Sequence, residues 1–252
     1  MSSIGGDRLS ERYEQKARQE LILWKKKISI KPSMAMRLSK QAQTAINQKI
    51  PQKVHDTISS SIKTMVDGVL YGSSYFKKVQ KIGRTLEEIE EQAQSMLNVY
   101  RRTAVVEGAG TGAGGLLLGL SDFPLLLSIK IKYLFSISEL YGYDPKKWEE
   151  RVFILLIFQL AFSSLKKREE LLSVMEDWEN NKQRYKDIDW QSFQQEYRDS
   201  IDFIKMLQLV PGIGAIVGAW ANHQLLEQLG ETAKYAYRMR WFTEKQTSKE
   251  EA

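Results

Sequence analysis

The chain has 252 residues, a net charge of +6 and no cysteine. That length allows one large domain or two small ones with a substantial core. The missing cysteine excludes disulfides, thiolate metal sites and cysteine nucleophiles. The two histidines, His55 and His223, lie far apart in the sequence, so a histidine-rich metal centre is not expected, whereas a carboxylate site stays open.

Charge is distributed unevenly. Residues 1–106 carry 19 Lys/Arg against 10 Asp/Glu, and the remainder carries 18 against 21. A positive front half beside apolar segments suits an anionic surface, phospholipid or nucleic acid, and equally the ordinary solvation of surface helices. Residues 1–20 are polar and lack the apolar core of a secretory signal, which places the expected protein in the cytoplasm.

Proline occurs only at 32, 51, 124, 145 and 211. The long stretches between, with apolar residues three or four apart, read as helices, and strand-like alternation is almost absent. The expected fold is all-α. A first helix over about 8–28 carries Tyr13, Ala17, Leu21, Trp24 and Ile28 on one stripe, with Lys25, Lys26 and Lys27 beside Trp24 near its end. A second runs over about 33–48. A third follows Pro51, with Ile58, Ile62, Met65, Val66 and Val69 on a strong apolar face. Residues 84–106 read as a charged helix with Leu86, Ile89, Ala93, Met96 and Leu97 inside.

From Gly108 to Ile129 the only formal charge is Asp122. In YGYDPKKWEERV, Asp144 is expected to cap a helix and Pro145 to occupy its first turn. That helix continues through 14 uncharged residues, Val152 to Leu165, and KKREELLSVMEDW either continues it or starts another. After a loop near 180–189 comes a helix through Trp190, Phe193, Tyr197, Ile201 and Ile204. A third apolar block, 206–226, is broken at Pro211-Gly212, and a last helix runs through GETAKYAYRMRWF. The division expected is a basic helical region at 1–83 packed on a helical core at 84–245, with a frayed tail at 246–252.

The glycine run GAGTGAGG at 108–115 poses the main chemical question. A dinucleotide fingerprint needs a preceding strand and a fixed glycine spacing, and a P-loop needs Gly-Lys-Ser/Thr; neither is present. Small residues four apart, Gly108 with Gly112, Gly110 with Gly114 and Gly214 with Gly218, let backbones approach closely, in lipid or in a core. The apolar blocks fit buried helices or shallow re-entrant hairpins better than spans of about 20 apolar residues. The expected architecture is therefore a compact multi-helix domain with glycine-rich apolar helices or hairpins at its centre.

The ordered set Glu107-Gly108, Gly112, Gly114-Gly115, Gly119-Leu120, Asp122 and Pro124 resembles the glycine-rich signature of the EcsC-like family. Tyr141-Gly142-Tyr143 also resembles that family, as do Pro211-Gly212-Ile213-Gly214, Gly218-Ala219, Asn222 and Tyr237-Arg238. Together these cover roughly residues 85–242, and the amino-terminal helices look like the bacterial form. The resemblance implies a protein often encoded beside an Ecs-type ABC transporter, and brings no established catalytic residue. The chain has no HExxH, no cysteine and no recognisable serine elbow, so no enzyme is expected; Thr111 is the weak candidate nucleophile, and no cofactor is implied.

Asp122, a lone charge in an apolar stretch, must be paired or protonated if buried, and suits backbone hydrogen bonding or capping. Glu107 suits pairing with Arg101 or Arg102. If the two glycine-containing blocks pack together, Glu107, Asp122, Asn222 and His223 line one polar pocket able to bind a lipid head group or another small ligand. Close helix packing or membrane contact falls to Gly108, Gly110, Gly112, Gly114, Gly115, Pro211, Gly214 and Gly218, and a basic surface to Trp24 with Lys25, Lys26 and Lys27. Nucleic acid is not expected as a partner, because no finger, recognition-helix or aromatic-strand motif appears.

The sequence reading is a non-enzymatic accessory protein, peripheral to the inner face of the cell membrane, with an anionic membrane surface or lipid as partner and a transporter as a second one. A homo-oligomer is left open. The alternative is a soluble helical protein with an internal pocket for a lipid or another apolar ligand, with a hydrolase built on a carboxylate and a histidine as a lesser one.

Overall fold

The computed structural model describes residues 3–29, 52–71, 85–111, 123–163, 165–185 and 215–250, and the proline-free stretches within them fold as helices. The described residues form eight α-helices: α1 Ser3–Ser29, α2 Gln52–Tyr71, α3 Leu86–Thr111, α4 Phe123–Leu140, α5 Trp148–Phe162, α6 Leu165–Glu176, α7 Trp178–Asn181 and α8 Ala215–Glu250, with a 3₁₀ turn at Lys182–Tyr185. The fold of the described residues is all-α, without a β-sheet. The helices expected over 33–48 and through Trp190–Ile204 lie outside them.

Each amphipathic stripe faces one shared core. On α1, Ala17, Leu21 and Trp24 are buried, and Tyr13 and Ile28 pack against them from the edge. On α2 the buried set is Ile62, Met65, Val66, Val69 and Leu70, and on α3 Leu86, Ile89, Ala93 and Leu97. The start of α3 is fixed by a reciprocal capping box. Thr85 N–H donates to Glu88 Oε2 at 2.9 Å, and Glu88 N–H donates to Thr85 Oγ1 at 3.3 Å, an arrangement that contributes about 1 kcal/mol to a helix start.

Helix α5 is apolar on every side, the signature of a helix enclosed by others. All eleven residues from Val152 to Phe162 are buried, with α2, α4, α6 and α8 packed around them. The centre of the described core is thus a helix stretch without glycine. Of the glycine-rich centre expected from sequence, Gly108 and Gly110 lie in the last turn of α3 and Gly218 lies in the first turn of α8. Gly112, Gly114, Gly115, Pro211 and Gly214 fall outside the described residues. Where a glycine measurably permits close approach is Gly230 on α8: a Cβ there would meet the Leu97 side chain at 2.8 Å and the Tyr133 hydroxyl at 3.0 Å.

Two local expectations are corrected. Asp144 does not cap a helix, and Pro145 is not in a first helical turn. The Asp144 carboxylate accepts from Lys146 N–H at 3.0 Å and its carbonyl accepts from Lys147 N–H at 3.0 Å, so the pair closes a tight turn and α5 begins only at Trp148. The uncharged helix also ends at Phe162 rather than Leu165. Ser163 is extended, and the exposed carbonyls there are taken by long side chains: Arg168 Nε donates to Ser163 O at 3.1 Å and Gln228 Nε2 to Ala161 O at 2.5 Å. External donors of this kind let a helix stop inside a protein without leaving carbonyls orphaned. No helix among the described residues is long and apolar enough to cross a membrane.

Candidate functional site

A groove of about 690 Å³ runs between α2 and α4 and is closed on one side by Tyr100 of α3. Its walls follow from helical spacing. On α4, Leu127, Ile131 and Phe135 stand one turn apart with Glu139 a turn further on, and on α2 Met65 and Val69 face them. Gly68 lines the same groove, and a Cβ added to it would meet nothing within 4 Å. A mid-helix glycine costs about 1 kcal/mol relative to alanine, and no packing contact requires it at this position. What its missing side chain does is leave the groove wide.

Three polar groups along the groove are satisfied within their own helices or by each other. Ser61 Oγ donates to Thr57 O at 2.8 Å, Ser136 Oγ donates to Lys132 O at 3.0 Å, and the Tyr100 hydroxyl lies 3.1 Å from Ser136 Oγ. Glu139 differs: its Oε1 is buried and has no hydrogen-bond partner. Burial first, and Asp144 second, raise the pKa of this carboxyl, with Lys146 acting in the opposite sense.

The groove ends beside a buried polar and aromatic cluster. Gly142, at φ 84°, adopts the left-handed conformation that L side chains avoid, and the turn lets both of its neighbours reach one ring. Tyr141 and Tyr143 each stack on Tyr237 of α8, with centroids 5.1 and 5.4 Å apart. Beneath them, Glu150 Oε1 accepts from Ser138 Oγ and from the Tyr237 hydroxyl, both at 2.7 Å, while Arg240 pairs with Oε2 at 2.5 Å and lies 3.6 Å over the Tyr143 ring. One carboxylate therefore ties α4, α5 and α8 together. A second does the same for α1, α3 and α8. Glu90 pairs with Arg238, Tyr13 donates to Glu90 Oε2 at 2.7 Å, and Arg238 Nη1 reaches Glu20 at 2.8 Å.

Lys130 on α4 is buried, at 1% exposure, and burial pushes its pKa down to about 7. A base with a depressed folded pKa binds fewer protons folded than unfolded between about pH 7 and its ordinary value of 10.5, so its contribution to stability increases with pH across that window and is a constant penalty below it. Lys130→Met is accordingly expected to show a flatter stability profile than the parent between pH 7 and 10. Urea titrations at both pH values check this; a methionine variant with an unchanged profile contradicts it.

The residues expected to form a polar pocket are met only in part. His223 on α8 faces α3, where Arg101 Nη2 donates to its ring, contacting Nε2 and standing 3.4 Å from Nδ1. The α3–α8 pairing is the most extensive helix contact. Asp122 lies outside the described residues, as do the side chains of Glu107 and Asn222. No group of three or more His, Cys, Asp or Glu side chains among the described residues could hold a metal ion.

The basic surface around Trp24 needs correction. Trp24 is 4% exposed and stacks on Tyr235 at 4.8 Å, because position 24 continues the Ala17–Leu21 stripe. Lys25 pairs with Glu176 at 2.8 Å and Lys27 with Glu231 at 3.4 Å, and both Lys26 and Lys27 are exposed. The aromatic is a core anchor, and two of the three cations bind their own chain.

The two tyrosine-containing segments at 141–143 and 237–238, nearly a hundred residues apart, meet in one stack, and the sequence model of the EcsC protein family matches residues 15–242. The chain belongs to the EcsC protein family. The match takes in the second half of α1 and all of α2 as well as the glycine-rich half. Protein EcsC of Bacillus subtilis (strain 168) is 49% identical over 223 residues, covering 88% of this chain and 93% of that protein. An uncharacterized protein of the same strain, YdbA, is 30% identical over 95% of this chain and 93% of its own length. No solved structure matches. The groove, Gly68 and the buried Glu139 and Lys130 were not singled out from sequence. Gly68 carried the one available signal, an isolated glycine in an otherwise strong amphipathic helix.

Proposed function

We propose that this EcsC-family protein is a non-enzymatic helical protein that holds an apolar ligand, a lipid chain, in the groove between α2 and α4. The observation that carries the reading is Gly68: a helix-weakening residue whose absent side chain opens a groove floored by Leu127, Ile131 and Phe135. Its volume of about 690 Å³ lies within the range of small-molecule sites. Gly68→Phe is expected to fill the groove and weaken binding of Nile red, an uncharged fluorescent apolar probe, by about tenfold or more. Gly68→Ala is expected to bind the probe normally while gaining up to about 1 kcal/mol of stability. Probe fluorescence titrations and urea denaturation of both variants test this. Normal binding to a folded Gly68→Phe protein would sink the reading.

A second reading concerns where the lipid comes from. The excess of Lys/Arg in residues 1–106 favours docking on an anionic membrane surface at the cytoplasmic face, with a membrane transporter as further partner. Flotation with anionic vesicles, but not with neutral ones, lost in high salt, is the expected result. Protein remaining at the bottom with both vesicle types removes the direct lipid-surface part of this reading.

A further inference from the structure

We infer that the occupant of the α2–α4 groove is a single-chain amphiphile with an uncharged hydroxyl head, of the monoacylglycerol class, whose hydroxyl donates to the Glu139 carboxyl. This assignment rests on the groove reading above and specifies its ligand.

The stripe that floors the groove is strictly periodic. Leu127, Ile131, Phe135 and Glu139 stand at i, i+4, i+8 and i+12 of α4, so one apolar track spanning about 12 Å from Leu127 to Phe135 leads directly to a carboxyl. A chain lying on the track brings its head to Glu139. Three of the hydroxyls beside the track are already engaged: Ser61 with Thr57, and Ser136 with Lys132 and Tyr100. Among the residues that line the groove, Glu139 alone has a buried oxygen without a donor, and a buried acceptor left unmade is costly. A ligand hydroxyl supplies the missing donor.

An ionised fatty acid does not. Its carboxylate would stand against Glu139 with Asp144 close by, and Lys146 only partly offsets those two charges. Lys132, the cation that lines the groove, stands nearly two turns earlier on the neighbouring stripe and is exposed. Glu139 thus separates two amphiphiles with the same chain by their heads.

The experiment is displacement of Nile red from the full-length protein by 1-monolauroylglycerol and by laurate at pH 7.5, below their micelle-forming concentrations. The monoglyceride should displace the probe at a concentration on the order of tenfold lower than laurate. Glu139→Leu should lose that preference while still binding Nile red. Glu139→Gln should keep the monoglyceride and bind laurate better than the parent, because its amide accepts as well as donates and carries no charge. Equal displacement by both ligands in the parent, or a preference that survives in Glu139→Leu, overturns the head assignment and leaves the groove standing. Failure of the parent to bind Nile red, or of Gly68→Phe to weaken that binding, overturns the groove itself.

Discussion

Arg238→Ala is expected to lower the free energy of unfolding by about 3–5 kcal/mol, the usual result of removing one partner of a buried ion pair. The side chains of Arg238 and Glu90 are 3% and 4% exposed. Truncation leaves Glu90 with the Tyr13 hydroxyl, removes the contact to Glu20 and frees the Ala17 carbonyl that Nη1 reaches at 3.4 Å. Three helices lose their common tie. The midpoint of urea denaturation, with its slope, measures this. Because the penalty comes largely from stranding a charge, Arg238→Met combined with Glu90→Leu should recover a substantial part of the loss. A single variant costing under about 1 kcal/mol would mean that the pair holds nothing together.

Trp24→Ala is expected to cost a similar amount, about 3–5 kcal/mol, because it opens a cavity where the indole packs on Tyr235 between α1 and α8. Trp24→Phe should cost much less, since an aromatic ring remains for the stack. Thermal and urea unfolding separate the two. The same variants decide between the two positions argued for this residue. If Trp24 is a core anchor, Trp24→Phe leaves vesicle flotation as it was. Loss of flotation by a fully folded Trp24→Phe protein would put the indole at the lipid surface instead.

The helices were legible because burial on one face leaves a 3.6-residue trace in sequence, and the stripes of α1, α2 and α3 show it at Leu21, Trp24, Ile62, Val66, Ile89 and Leu97. The meeting of Tyr141, Tyr143 and Tyr237 was visible only as parts of a family pattern. What escaped was everything set by tertiary neighbours. Glu90 and Arg238 are 148 residues apart, and each alone reads as an ordinary surface charge. Lys130 follows Ile129 in a plain amphiphilic context, and nothing local says that other helices enclose it. The end of α5 was written in Ser163-Ser164, but a serine pair is weak punctuation beside a long apolar run. Trp24 was placed on the correct stripe and also assigned to the surface; three adjacent lysines suggested a patch, when helical geometry turns them to different sides of the axis. The groove left the least trace of all. Its open space is a property of how two packed helices meet, and only Gly68 marks it.

Arg151, in the first turn of the enclosed helix α5, donates to the last carbonyls of α2, Leu70 O at 2.7 Å and Val69 O at 3.3 Å, and to Pro145 O at 3.1 Å. One wall of the groove is thereby fastened to the enclosed helix at the centre of the described core. Spreading that wall to admit a bulkier guest strains a contact with the core itself. Occupancy and global unfolding become two views of one equilibrium: a guest that fits raises the melting temperature with its concentration, and one that forces the wall outward raises it less than its affinity would demand. Melting curves taken across a series of chain lengths would then map the width of the groove without any structure of a complex.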